Sequence, residues 1–204
     1  MKHLLFLLFG LCLAAPGFSG EQTLISGDIE HGGYGGPVFK FTQIGPNQDY
    51  GYLVGGQGGW IINHQFVLGG GGYGLSNNIP ADWLPESPDL YPTFGTQYLN
   101  FGYGGLFLAY IHNSDDLVHY EVHAMIGGGG AGYRLKDQIN EDDWDTDDFF
   151  IVEPGANVEF NITPFFRIAA GASYRVVQGV NAVGLTNDNL SGLSGQIMLK
   201  FGNF

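Results

Sequence analysis

The chain has 204 residues, of which 35 are Gly, alongside 16 Phe, 11 Tyr and 3 Trp. Glycine at about one residue in six, against a usual share of about 7%, excludes an ordinary helical bundle, because interior Gly costs about 1 kcal/mol per helical position. The aromatic content excludes a disordered tract, and 9 Pro with no strict three-residue Gly period exclude collagen. Twenty Asp+Glu against 7 Lys+Arg, net −13, leave no basic surface for nucleic acid.

In chain order, Lys2 precedes an apolar run from Leu4 to Ala15 and then Pro16-Gly17-Phe18-Ser19-Gly20. A basic start, a short apolar core and small residues describe a secretory signal over residues 1–20. The run is too short for a spanning helix, which needs about 20 residues. The single cysteine, Cys12, lies inside it, preceded by Leu11 rather than a small residue, so it reads as a filler of the apolar run. The mature chain, 21–204, then has no disulfide, thiolate site or Cys nucleophile and is expected to be one domain.

Period-two alternation dominates that chain and predicts eight strands at about 33–44, 50–62, 65–75, 96–111, 118–133, 149–160, 166–177 and 192–202. Most exceed the usual strand length of about 5–6 residues and suit a tilted bilayer crossing of about 9–11. Val118, Tyr120, Val122, Ala124 and Ile126 oppose His119, Glu121 and His123. Phe150, Val152, Ala156, Val158 and Phe160 oppose Glu153, Asn157 and Glu159. Phe166, Ile168, Ala170, Ala172, Tyr174 and Val176 oppose Arg167, Ser173 and Arg175. Leu193, Ile197, Leu199 and Phe201 oppose Ser194, Gln196 and Lys200. In the fourth strand Leu99, Phe101, Tyr103, Phe107, Ala109 and Ile111 share the apolar face, which is expected to point outward. The second and third strands are too Gly-rich to assign.

The polar faces carry few charges, and these nearly balance: Lys40, Arg167, Arg175 and Lys200 against Glu121, Glu153 and Glu159. The excess acid sits in the connections. Those connections alternate in length: Asn63-His64, 112–117 and 161–165 are short, whereas 76–95, 134–148 and 178–191 are long. Gly45–Asp49 is shorter than this alternation wants. An apolar outer band, a polar interior, and turns alternating with loops describe an eight-stranded antiparallel up-and-down transmembrane β-barrel. A sheet in lipid must close to pair its backbone, and eight strands enclose a lumen that side chains fill. Glycine runs at 69–72 and 127–130 relieve crowding at sharp bends, but alternation alone does not say why Gly occupies both faces there.

The segments HGGYGGPVFKFT (31–42), GGWIINH (58–64), GGGGYGL (69–75) and EPGANVEFNITPFFRIAAGASYR (153–175) carry a resemblance that spans most of the mature chain. The chain resembles the small OmpA/OmpX-type outer-membrane barrels. More closely, it resembles a group of Gly-rich bacterial secreted barrel-like proteins with no defined activity. The resemblance implies a fold and a place, the bacterial outer membrane, rather than a chemistry. One departure is that terminal Phe204 falls in phase with Lys200 and Gly202, so the outward apolar phase ends at Phe201.

The candidate chemistry is modest. His119-x-Glu121-x-His123 puts three ligand types on one strand face about 7 Å apart, a spacing that rarely converges on one ion. A lumen network of Lys40, His119, Glu121, His123, Glu153, Glu159, Arg167, Arg175 and Lys200 that satisfies buried polar groups is the expectation. Glu159 and Arg167 flank the 161–165 turn symmetrically and are expected to face each other, with Glu153 and Arg175 diagonal. The run Asn140–Asp148, with Glu141, Asp142, Asp143, Asp145, Asp147 and Asp148, is expected to form an acidic external loop with at most weak divalent-cation binding. It begins like a Ca²⁺ loop but has Asp148 where the Gly belongs and Pro154 where the final Glu belongs.

No cofactor and no enzymatic activity are expected. The function that follows is a non-catalytic outer-membrane barrel with a structural or surface-binding role, meeting outer-membrane lipid and the barrel assembly machinery. The alternatives are a soluble periplasmic ligand-binding β-calyx and a lipid-modifying outer-membrane enzyme. The enzyme would need a base and a nucleophile together at the lipid face.

Overall fold

The computed structural model describes residues 29–84, 96–135 and 147–204. The expected signal segment and Glu141, Asp142, Asp143 and Asp145 of the acidic run lie outside these. Eight strands follow in order: β1 (His31–Ile44), β2 (Asp49–Ile62), β3 (Phe66–Leu75), β4 (Gln97–His112), β5 (Val118–Leu135), β6 (Asp147–Thr163), β7 (Phe166–Gln178) and β8 (Gly192–Asn203). Each pairs antiparallel with its chain neighbours, and β8 pairs back to β1, closing the barrel. Closure removes both sheet edges and pairs the backbone within the sheet itself. The turns near 63–65, 113–117 and 164–165 lie at the end that holds the first and last strand termini. The β1–β2 link at 45–48 lies at the opposite end with the long connections, as an up-and-down barrel requires.

Two prolines interrupt the ladders. Between β1 and β8 the pairing skips Gly36 and Pro37, and between β6 and β7 it skips Glu153 and Pro154. Each proline lacks the N–H the ladder needs.

The outer face is apolar along its middle, with Phe39, Val54, Leu68, Leu106, Val122, Ile126, Val158 and Ile197 exposed. Aromatic residues flank this band. Toward the turn end lie Trp60, Phe66, Tyr110, Tyr120, Phe166 and Phe201, in ring contacts that include Phe166 with Phe201 at 4.9 Å. Toward the loop end lie Phe41, Tyr50, Tyr52 and Tyr174. On β2, Tyr52 and Trp60 stand about 27 Å apart along the strand, or about 20 Å in height at a tilt near 40°.

Most glycines on the inner face are sterically required, Gly192 being an exception. A Cβ on Gly36 would overlap the Leu199 carbonyl, and one on Gly69 would overlap that of Gly58. One on Gly155 would meet the His123 ring. The inner glycines therefore admit both close strand approach and the lumen side chains. Several outer glycines are different: a Cβ on Gly35 or Gly74 meets nothing within 4 Å. Gly runs thus occupy both faces, but the packing reason belongs mostly to the inner ones.

Two expectations are corrected. Leu99, Phe101, Tyr103, Phe107, Ala109 and Ile111 point into the lumen and are buried, while Leu106 and Leu108 face outward. The reason is volume. Gly71, Gly127 and Gly129 on the flanking strands leave interior space that the bulky side chains of β4 fill. The second correction is the β6–β7 register. Glu159 lies opposite Ala169, and Arg167 lies opposite Asn161. Pro164-Phe165 makes a tight turn with Thr163 opposite Phe166, and a bulge between Asn161 and Thr163 takes up the extra residue. The residues on either side, Val152 with Val176 and Gly155 with Ser173, set Glu153 opposite Arg175 rather than diagonal to it.

Candidate functional site

The polar network fills the lumen in layers. Nearest the turn end, Lys200 on β8 donates to Glu121 on β5 at 2.6 Å and to Glu159 on β6. All three side chains are fully buried. His119 contacts the other oxygen of Glu159 at 3.1 Å, and its Nδ1 lies 3.0 Å from the Asp116 carbonyl. Arg167 sits 3.9 Å from Glu159 and donates to the Ser114 hydroxyl at 3.2 Å. Its guanidinium lies 4.0 Å over the ring of Phe204. Phe204 in turn stacks on Tyr34 and covers the turn end from inside, which explains why the C-terminal residue keeps the inward phase.

The middle layer is built on Asn157, Gln196 and His123. Asn157 donates to Glu121 at 2.9 Å, and Gln196 donates to Asn157 at 2.7 Å. His123 Nδ1 lies 3.3 Å from Glu121, and its Nε2 lies 3.3 Å from Gln196. The upper layer centres on Glu153, which accepts from Lys40 at 2.8 Å, Tyr103 at 2.9 Å and Ser173 at 2.7 Å. The Lys40 ammonium also lies 3.9 Å over the Tyr73 ring, and Tyr73 donates to Gln57 at 2.7 Å. Desolvated charges are tolerable when each is paired and hydrogen-bonded in this way.

Lys40, Glu121, Glu153, Glu159, Arg167 and Lys200 of the nine residues expected in the lumen thus join ion pairs, and His119 and His123 contact Glu159 and Glu121 through ring nitrogens. Arg175 does neither. Its Nε donates to the Leu190 carbonyl at 2.6 Å, and its guanidinium lies 5.0 Å over Phe101. Alternation had already named Asn157, Ser173 and Gln196 as inward. Tyr34, Tyr73, Tyr103 and Gln57 were missed. The available signal was the large-against-small match between β4 and its Gly-rich neighbours, together with the need of a buried Tyr hydroxyl for a partner. Among the described residues, no three His, Cys, Asp or Glu side chains are arranged to hold a metal ion.

The loop end is closed by side chains. Trp83 reaches Gly45 and Gly184 and donates to the Tyr133 hydroxyl at 3.0 Å, and Tyr133 donates to the Val183 carbonyl at 2.5 Å. Helix α1 (Asn187–Leu190) is capped by Thr186 and Asn189 and buries Leu190. Asp147, from the acidic run, accepts the backbone N–H groups of Asn181 and Ala182, whereas Asp148 is exposed. Asp147 therefore anchors the 178–191 connection rather than standing free. Asp147→Ala is expected to make this connection a cleavage site for proteinase K while the barrel resists. Equal resistance in wild type and variant would remove the anchoring role.

No protein-family model matches the sequence, and no curated protein matches it. Solved structures do. Neisserial surface protein A is 14% identical with a TM-score of 0.53, covering 87% of this chain and 99% of its own. Ail, the attachment invasion locus protein of Yersinia pestis, is 12% identical with a TM-score of 0.47, covering 84% and 97%. Ail in a phospholipid bilayer nanodisc gives 12%, a TM-score of 0.42, and 85% and 99%. The likeness to the first is one of fold: the chain is an all-β, closed, eight-stranded up-and-down barrel of the OmpA/OmpX-like kind.

Proposed function

We propose that this chain is a non-catalytic barrel of the bacterial outer membrane with a structural or surface-binding role. The observation that carries this is the polarity of the closed sheet. Its outer face holds Phe39, Val54, Leu68, Leu106, Val122 and Ile197 in a continuous exposed band between two aromatic belts. Its inner face holds the buried ion pairs. That arrangement is inverted relative to a soluble protein and suits lipid outside. A soluble calyx would need the reverse and an open interior, whereas Tyr34, Tyr73, Phe101, Phe107 and Phe149 fill this one. No bulk conduction is expected through a lumen plugged by its own side chains.

On this reading outer-membrane lipid and the barrel assembly machinery are the partners. The acidic residues Glu141, Asp142, Asp143 and Asp145 would offer negative charge outside the cell, with weak divalent-cation binding at most. Fractionation of expressing cells, with heat-modifiable gel migration of the detergent-extracted protein, tests the proposal. The expected result is recovery in the outer membrane and a faster-migrating unheated band. Full recovery in the soluble periplasm would overturn it.

A further inference from the structure

The buried cations and carboxylates of the lumen are not matched one to one. Among the described residues the buried ionisable side chains include four obligate cations, Lys40, Arg167, Arg175 and Lys200, but only three carboxylates, Glu121, Glu153 and Glu159. Every carboxylate is engaged by one of the other three cations: Glu153 by Lys40, Glu121 by Lys200, and Glu159 by both Lys200 and Arg167. Arg175 is fully buried and forms no ion pair with any carboxylate among the described residues. Its Nη1 and Nη2 both lack a hydrogen-bond partner. The Ser194 hydroxyl, also fully buried, lacks a partner too. Ser194 faces Ser173 across β7–β8 while Arg175 faces Gly192, so Ser194 is the diagonal neighbour of Arg175 on the inner wall.

We propose that Arg175, with Ser194, forms a binding site for one small monovalent anion of the chloride type. One small anion would give Arg175 the hydrogen-bonded counter-charge that Glu153, opposite it across β6–β7 and bound to Lys40, does not supply. The unpartnered groups here are N–H and O–H donors, the chemistry that recognises an anion. An unpaired buried cation is strongly destabilising, and one hydrogen-bonded counter-ion removes that penalty. The site lies beneath the mouth closure, because Arg175 Nε holds the Leu190 carbonyl at the end of α1. Anion binding would therefore couple the seating of the 178–191 connection to the lumen wall. This inference stands on the closed lumen and not on the location of the barrel.

The test uses the full chain folded in detergent in sodium bromide and crystallised, with bromine anomalous scattering as the readout. The expected result is a bromine peak within hydrogen-bond distance of the Arg175 Nη atoms. A water or no feature there overturns the proposal. In parallel, thermal unfolding is compared in sodium chloride and in sodium gluconate at equal ionic strength, gluconate being a far bulkier anion than chloride. Wild type is expected to melt several degrees higher in chloride, as a ligand bound to the folded state alone requires. Arg175→Met is expected to melt alike in both salts. Equal melting of wild type in the two salts refutes the site. Should Arg175→Met fail to fold, the bromine map of wild type still decides.

Discussion

Lys200→Met is expected to destabilise the folded barrel by about 3–5 kcal/mol, the usual penalty for stranding a buried charge. Lys200 is the shared cation of Glu121 and Glu159, and all three side chains are fully buried. Removing it leaves two carboxylates in one layer with Arg167, at 3.9 Å from Glu159, as the remaining obligate cation beside them. Asn157, His119 and His123 keep their contacts to these carboxylates, but none takes the place of an ammonium shared by both. Lys200→Met combined with Glu121→Gln should recover part of the loss, because one uncompensated carboxylate disappears. Urea unfolding of protein folded in detergent, followed by tryptophan fluorescence, gives both numbers. A loss below about 1 kcal/mol for the single variant would mean that the layer does not depend on Lys200.

Gly36→Ala should be as damaging, and Gly35→Ala should be nearly silent. The two residues are adjacent on β1 but face opposite ways. A Cβ at Gly36 would overlap the Leu199 carbonyl of β8, and neither backbone can yield without opening the barrel seam. A Cβ at Gly35 meets nothing within 4 Å. Overpacking against fixed backbone is expected to cost about 3 kcal/mol or more, and an exposed change of one methyl within about 0.5 kcal/mol. Gly55 and Gly56 repeat the contrast on β2, where a Cβ on Gly55 would overlap the Gly72 carbonyl and one on Gly56 comes no nearer than 3.6 Å to any atom. Folding yield and urea midpoint of the four variants provide the check. Similar losses at Gly35 and Gly36 would show that backbone flexibility, not space, governs the glycine content.

The contrast between those neighbours resolves much of the glycine-and-aromatic composition. Aromatics do not belong to the outer face alone. Tyr34, Tyr73, Phe101, Tyr103, Phe107 and Phe149 are packed in the lumen, and inner glycines give them room. Along β5 to β8 the faces were legible because polar residues alternate with apolar ones, so a single period of two separates inside from outside. Along β4 both faces carry large apolar residues, with Asn100 and His112 only near the ends of the outer one. There, hydropathy carries no information about direction, and only the shape of the neighbouring strands decides it.

The strand ladder, the up-and-down order and the inward faces of β5 to β8 followed from the sequence alone, because alternation and loop length are local properties of the chain. Register and pairing were decided by the tertiary structure. The bulge between Asn161 and Thr163 moved Arg167 from directly opposite Glu159 to a diagonal position, and closure of the sheet brought Lys200 of β8 to Glu121 of β5 and Lys40 of β1 to Glu153 of β6. Those partners lie across the lumen rather than along a hairpin. Their meeting depends on barrel diameter and strand stagger, which no local pattern encodes. The same closure left Arg175 with no carboxylate at hydrogen-bond distance among the described residues.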